Sequence, residues 1–275
     1  MTTMLQTENK LLLLFHELLA RYPDRIAGPF FSVAPANYDP MAVPSILYVG
    51  KATAGPWGLS DFLSSPTVTE RHEFTTDFLE EINTGEYSSA FWRFAHDLSD
   101  QIALTSGRPI HGLQNLVWTN LCKIGVVRNN PSGEILQAQG DLATEFLRLE
   151  IQTYRPKLIV LVTGDYADHL VTATFGEQIP WHKECGPQGF WWREAANELP
   201  AILWTYHPQN KRQKLLETWL KQASQLLVLF LFALSFTTSQ VRYPELRTGR
   251  VVVPSSASGW RGLPKIPLAA SSASA

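Results

Sequence analysis

The stretch Ile46-Leu47-Tyr48-Val49-Gly50-Lys51-Ala52-Thr53-Ala54-Gly55-Pro56-Trp57-Gly58 decides how the chain is read. Four apolar residues of strand length run straight into a Gly/Pro-rich segment. A run that is apolar on both faces predicts a strand covered from both sides, as in a parallel sheet. Three further runs have the same character: Leu116–Leu121, Leu158–Val162 and Ala201–Tyr206. Each is rich in β-branched or aromatic residues and gives way to turn or polar residues.

Helical spacing fills the intervals. Tyr87, Phe91, Phe94, Leu98 and Ile102 recur every three to four residues, as do Leu142, Phe146 and Leu149 before Tyr154 and Pro156. Asp165–Phe175 reads as a helix capped by Asp165, and Lys211–Leu220 as the helix after the fourth strand. Near the N-terminus, Leu11, Leu14, Phe15, Leu18 and Leu19 share one helical face. Strand alternating with helix predicts an α/β fold, a three-layer α/β/α sandwich with a central four-stranded parallel sheet. Ligands of such sheets bind beyond the carboxyl ends of the strands. Gly55–Gly85 carries few periodic signals and reads as a long functional loop.

The bulk numbers narrow the possibilities. The 275 residues carry a net charge of −2, which excludes a uniformly basic nucleic-acid binder but not a local basic patch. Two cysteines, Cys122 and Cys185, are too few for a disulfide framework or a four-thiolate metal site. They read as reduced thiols of a cytoplasmic protein. His72 and His111 lack a second ligand at metal-binding spacing, so neither metal nor cofactor is expected. Residues 1–222 form the expected domain, and the character changes in 223–275. The apolar run 226–236 is short for a membrane span of roughly 20 residues, and Ser255–Ala275 has the composition of disorder. An anchor, a helix packed on the domain and sequence foreign to the domain are the three readings of this tail. The compositional break favours the third.

The residues that follow the four strands form an ordered set. They are Gly50-Lys51-Ala52-Thr53, then Trp118-Thr119-Asn120, then Pro156-Lys157-Leu158-Ile159-Val160-Leu161-Val162-Thr163-Gly164 with Ala167, then His207-Pro208-Gln209. In order, strand context and spacing this set resembles the uracil-DNA glycosylase superfamily, over roughly Ile46–Leu220. The resemblance implies a protein that binds a damaged or deaminated base in DNA and hydrolyses its N-glycosidic bond. It implies that Asn120 reads the base, since one planar amide offers a donor and an acceptor, and that Gly50 lies in the active-site loop. It implies that His207 donates a hydrogen bond to the departing base. Independently, Pro208 suits a first helical position, and the positive end of a helix disfavours imidazolium. Trp57 or Phe62, in the loop after the first strand, would stack on an extruded base.

The chain departs from the pattern at Lys51, where active branches usually carry Asp, Glu or Asn. A protonated lysine is no general base; a neutral one could attack a sugar carbon, and a charged one could bind phosphate. Thr53 is the remaining group that could hold a water. Lys211, Arg212 and Lys123 are candidate contacts to the backbone of single-stranded or duplex DNA. Taken singly, each residue has a plainer reading: Asn120 closing a strand end, His207 in a turn, Trp57 in the core, Lys51 pairing with Asp61. Two rivals stand beside hydrolysis: a non-catalytic nucleic-acid or nucleotide binder, and an enzyme acting on a free nucleoside or nucleotide.

Overall fold

A computed structural model describes residues 3–35, 38, 45–53, 68–86, 88–107, 112–176, 182–183, 190–195 and 200–239. In chain order these give helix α1 (Met4–Arg21) and strands β1 (Ile26–Pro29) and β2 (Ile46–Gly50). Helices α2 (Val68–Thr84) and α3 (Ala90–Ser106) follow, then strands β3 (Leu116–Asn120) and β4 (Ile124–Val126). Next come helix α4 (Gly133–Tyr154), strand β5 (Leu158–Leu161) and helix α5 (Asp168–Phe175). Strands β6 (His182–Lys183), β7 (Trp191–Arg193) and β8 (Ala201–Trp204) precede the last helix, α6 (Gln213–Ser239).

The fold is mixed α/β, and the sheet corrects the expectation of a purely parallel four-stranded one. Six strands run in the order β3-β2-β5-β8-β7-β6. The first four are parallel neighbours, while β7 and β6 are antiparallel additions at one edge. Strands of two and three residues are too short to print a period on the sequence. Trp191 is a strand residue whose ring lies 4.9 Å from that of Trp204. A separate pair, β1 with β4, is antiparallel.

Alternation along the parallel strands sorts their side chains into two cores. Ile46, Tyr48, Leu116, Trp118, Leu158, Val160, Ala201 and Leu203 pack with α2, α3 and α6. Leu47, Val49, Val117, Ile159, Leu161, Ile202 and Trp204 pack with α4 and α5. The chain moves from β2 outward to β3, then crosses back over the other face to β5. That reversal leaves a crevice above the carboxyl ends of β2 and its neighbours, the usual place for a ligand in such sheets.

Three local expectations are revised. The region read as a long loop contains α2, whose Leu79 and Ile82 are buried. Asp165 does not cap α5, which starts later, behind Ala167 in the left-handed region (φ 53°). Helix α6 runs past residue 222, and Ala223, Leu226 and Leu227 belong to the core. The first part of the apolar run is therefore packed on the domain. No described helix is long and apolar enough to cross a membrane.

A buried ionic knot anchors the end of β3. Lys123 and Glu150 are both fully buried, with Nζ 2.6 Å from Oε1. Lys123 Nζ also donates to Thr119 Oγ1 at 2.5 Å, and the Thr119 hydroxyl donates to the same carboxylate at 2.9 Å. Burial pushes the Lys123 ammonium below its ordinary range while Glu150 opposes that shift. Removing one member strands the other charge in a water-free interior. Glu150→Ala is therefore expected to cost about 3 to 5 kcal/mol in urea unfolding. The paired change Lys123→Met with Glu150→Leu is expected to cost less than Glu150→Ala.

Candidate functional site

The site begins with a glycine whose missing Cβ makes room for a neighbouring side chain. Gly50 and Asn120 are register partners at the ends of β2 and β3. A Cβ on Gly50 would collide with Asn120 Oδ1 and crowd the Phe91 ring at 3.2 Å. The bare backbone lets the buried Asn120 amide lie across the strand end. Asn120 Nδ2 donates to Thr53 Oγ1 at 3.2 Å. Thr53 is itself held by Gly125, where any Cβ would meet the Thr53 carbonyl. Parallel pairing continues past the strands: Leu121 N–H donates to Gly50 O at 2.8 Å and Cys122 N–H to Lys51 O at 2.9 Å.

Above this floor lies a cavity of about 430 Å³, the size of a small-molecule site. Gly50, Lys51, Thr53, Asn120, His207 and Lys211 all line it, so three chain segments far apart in sequence meet at one mouth. Its aromatic wall is Phe91, Trp92 and Trp118. Phe91 lies near-parallel to the His207 imidazole (20°, centroids 5.7 Å apart) and packs on Tyr48 at 4.6 Å. Among the described residues that line the cavity there is no carboxylate.

His207 is neutral, although not for the reason anticipated. Pro208 does not open a helix, because α6 starts only at Gln213. Burial first, then the charges of Lys51 and Lys211, bring the imidazole down to about 4. Gln209 N–H donates to Nδ1 at 3.2 Å, which places the proton of the neutral ring on Nε2. His207 is therefore a hydrogen-bond donor that carries no charge.

Lys51 is half-buried, and burial lowers its ammonium from the ordinary value; Asp165 opposes this and Lys211 adds to it. Its Nζ lies 5.8 Å from the centre of the Tyr166 ring. No carboxylate among the described residues forms an ion pair with it. Lys211 reaches the same cavity, with Nζ 5.3 Å from the centre of the Tyr206 ring.

The other candidates fare differently. Lys123 cannot touch DNA, because it is fully buried in the knot with Glu150. Arg212 is exposed but does not line the cavity. Trp57 and Phe62 lie outside the described residues. Phe91, by contrast, belongs in the sequence to the periodic face of a helix; its place in the first turn of α3 is what brings it to the cavity. Asn130 joins the cavity to a second one of about 370 Å³, lined by Asp24, Arg25, Arg128, Asn129 and Ser132. Arg25 and Arg128 are exposed, and among the described residues neither forms an ion pair. Arg128 is held at φ 81°, a strained value for a side-chain-bearing residue. Nothing in sequence spacing relates Arg25 to this rim. Among the described residues no three His, Cys, Asp or Glu side chains cluster as a metal site.

The electrostatics can be checked directly. In an NMR titration the His207 imidazole should stay neutral until the pH approaches 4. Lys51→Ala and Lys211→Ala should each raise that midpoint, because each removes a repelling cation. The unfolded chain takes up this proton nearer the ordinary histidine value, so the native state should lose stability as pH falls from there toward 4.

No protein-family model matches this chain, and no curated protein matches it.

Proposed function

We propose that the protein draws a deaminated or damaged base of DNA into the Asn120–His207 cavity and cleaves its N-glycosidic bond, in the manner of uracil-DNA glycosylases. The observation that carries this reading is the pairing, in one cavity, of a buried amide with a neutral, Nε2-protonated histidine. The Asn120 amide supplies the donor and acceptor that the edge of a uracil-like base requires. When the C1′–N bond breaks, its electron pair stays on the base. The Nε2–H of His207 then donates to the oxygen on which that charge gathers. A preorganised donor of this kind contributes about 3 kcal/mol to leaving-group stabilisation. Water supplies the new oxygen on C1′ and releases its proton to solvent. Phe91 offers a flat face to an extruded base, whose lost stacking must be replaced.

The charge distribution supports a phosphate-bearing ligand. Lys51 and Lys211 make the cavity positive, and in the adjoining cavity Arg25 and Arg128 outweigh the single carboxylate of Asp24. A protein of net charge −2 thus concentrates cations along one path. One observation favours a second reading, a binder that holds the base without cleaving it. The described cavity residues include no carboxylate to activate water.

Oligonucleotides carrying uracil or hypoxanthine, single-stranded and duplex, followed by alkali, separate the readings. Wild type is expected to yield strand breaks at the modified position. His207→Ala should slow them about 10²- to 10³-fold, and Asn120→Ala should erase the preference for the modified base. Retention of the same oligonucleotides in a gel shift without any breaks is the outcome for the binder. Arg25→Ala with Arg128→Ala should weaken retention and flatten its salt dependence.

A further inference from the structure

We infer that Lys51 is an amine nucleophile that forms an imine with C1′ of an abasic deoxyribose seated in the same cavity. This inference rests on the reading of the cavity as a DNA-base site. The position is favourable for such a role. Lys51 directly follows Gly50, its carbonyl is pinned by the Cys122 N–H, and its side chain lines the cavity with Asn120 and His207. A nucleophile there sits beside the sugar whose base occupies the Asn120 amide.

Burial lowers the proton affinity of this amine, Asp165 opposes that and Lys211 adds to it, while the neutral His207 and the Tyr166 ring face it without charge. No carboxylate among the described residues pairs with Lys51 and locks it as an ammonium. Half-burial and the neighbouring Lys211 cation favour the free amine, and desolvated lysines near a second cation are activated in this way. Lys211 is the other amine of the cavity, with its Nζ 5.3 Å from the centre of the Tyr206 ring.

The chemistry balances without an outside oxidant or reductant. In its open form the abasic sugar presents a C1′ aldehyde. The lone pair of Lys51 Nζ attacks that carbon, and the resulting carbinolamine takes up a proton and expels water to give a C=N iminium. The iminium draws electrons from C2′–H. That proton passes to solvent, C2′=C3′ forms, and the C3′–O bond breaks with its electron pair leaving on the 3′-phosphate. Hydrolysis of the C=N bond then frees the lysine. Base removal at this site would thus be followed by strand scission on the same protein.

An oligonucleotide that already contains an abasic site tests this apart from base excision. Incubated with the full chain and sodium borohydride, wild type should give a covalent adduct stable to denaturing electrophoresis, mapping to Lys51 by mass spectrometry. Lys51→Arg keeps the charge but removes the nucleophile and should lower adduct yield at least tenfold; Lys51→Ala should do the same. Lys211→Ala, which removes the cation that favours the free amine, should lower the adduct yield while the adduct still maps to Lys51. No wild-type adduct above the Lys51→Arg background, or equal trapping by Lys51→Arg, overturns the inference. Adduct formation by a protein that excises no base overturns the proposed excision and leaves the inference standing. Base excision without an adduct does the reverse.

Discussion

A missing Cβ organises the site. Gly50 faces Asn120 across two parallel strands, and a Cβ at that position would push the amide out of its place. Once the amide lies across the strand end, Thr53 takes its Nδ2 hydrogen bond, and Phe91 closes over the same spot. The arrangement has little slack because β2 is fixed in register on two sides, between β3 and β5. Beneath it, the knot of Thr119, Lys123 and Glu150 ties the last turn of β3 to α4. A polar amide thus stands at the floor of a cavity on a fully buried foundation, which is what orienting a ligand to within a fraction of an ångström demands.

The location of the cavity follows from topology. A chain that lays β3 to one side of β2 and β5 to the other must send its connections over opposite faces. The loops therefore part above the strand ends. Into that parting project the residues after β2, the end of β3 and the segment after β8. The helices matter because they deliver Phe91 and Lys211 to the rim, on the first turn of α3 and just ahead of α6. Catalytic or binding side chains on loops over a stiff scaffold are the common solution in this class of fold.

Much of this was visible in the sequence, and the failures have physical causes. The four parallel strands were legible because being buried on both faces demands unbroken apolar runs. Gly50, Asn120 and His207 were legible because strand ends in such sheets are where ligands bind. The edge strands β6 and β7 were not, since two or three residues carry no period. Helix α2 was hidden by its polar face, as Glu73, Asp77, Glu80 and Glu81 dilute the apolar positions Phe78, Leu79 and Ile82. Lys123 misled because a lysine beside a candidate site looks like a surface cation; only its pairing with Glu150, 27 residues onward, shows that it faces inward. Arg25 was invisible for the opposite reason, being brought to the rim by the β1–β4 pair, whose partners Ile26 and Val126 lie far apart in sequence.

The lysine at position 51 and the neutral histidine at 207 are best understood together. A carboxylate at position 51 would attract the imidazolium form and pull His207 upward through the neutral range. Lysine does the reverse, and its charge is one of the three causes holding His207 near 4. The exchange of acid for amine therefore does more than remove a candidate base. It keeps the histidine an uncharged donor, with its proton on Nε2, without help from a helix terminus. Reciprocally, a neutral His207 adds no positive charge against Lys51 and so does not suppress its ammonium further; the lowering at Lys51 comes from burial and Lys211. The two residues share one balance: a cavity enclosed enough and positive enough to hold histidine neutral also leaves the nearby amine more readily deprotonated than a lysine in water. A negative charge arriving in the cavity would change that balance for both residues at once. It would raise the proton affinity of each, so occupancy by an anionic base or phosphate would couple directly to the protonation of the groups that meet it.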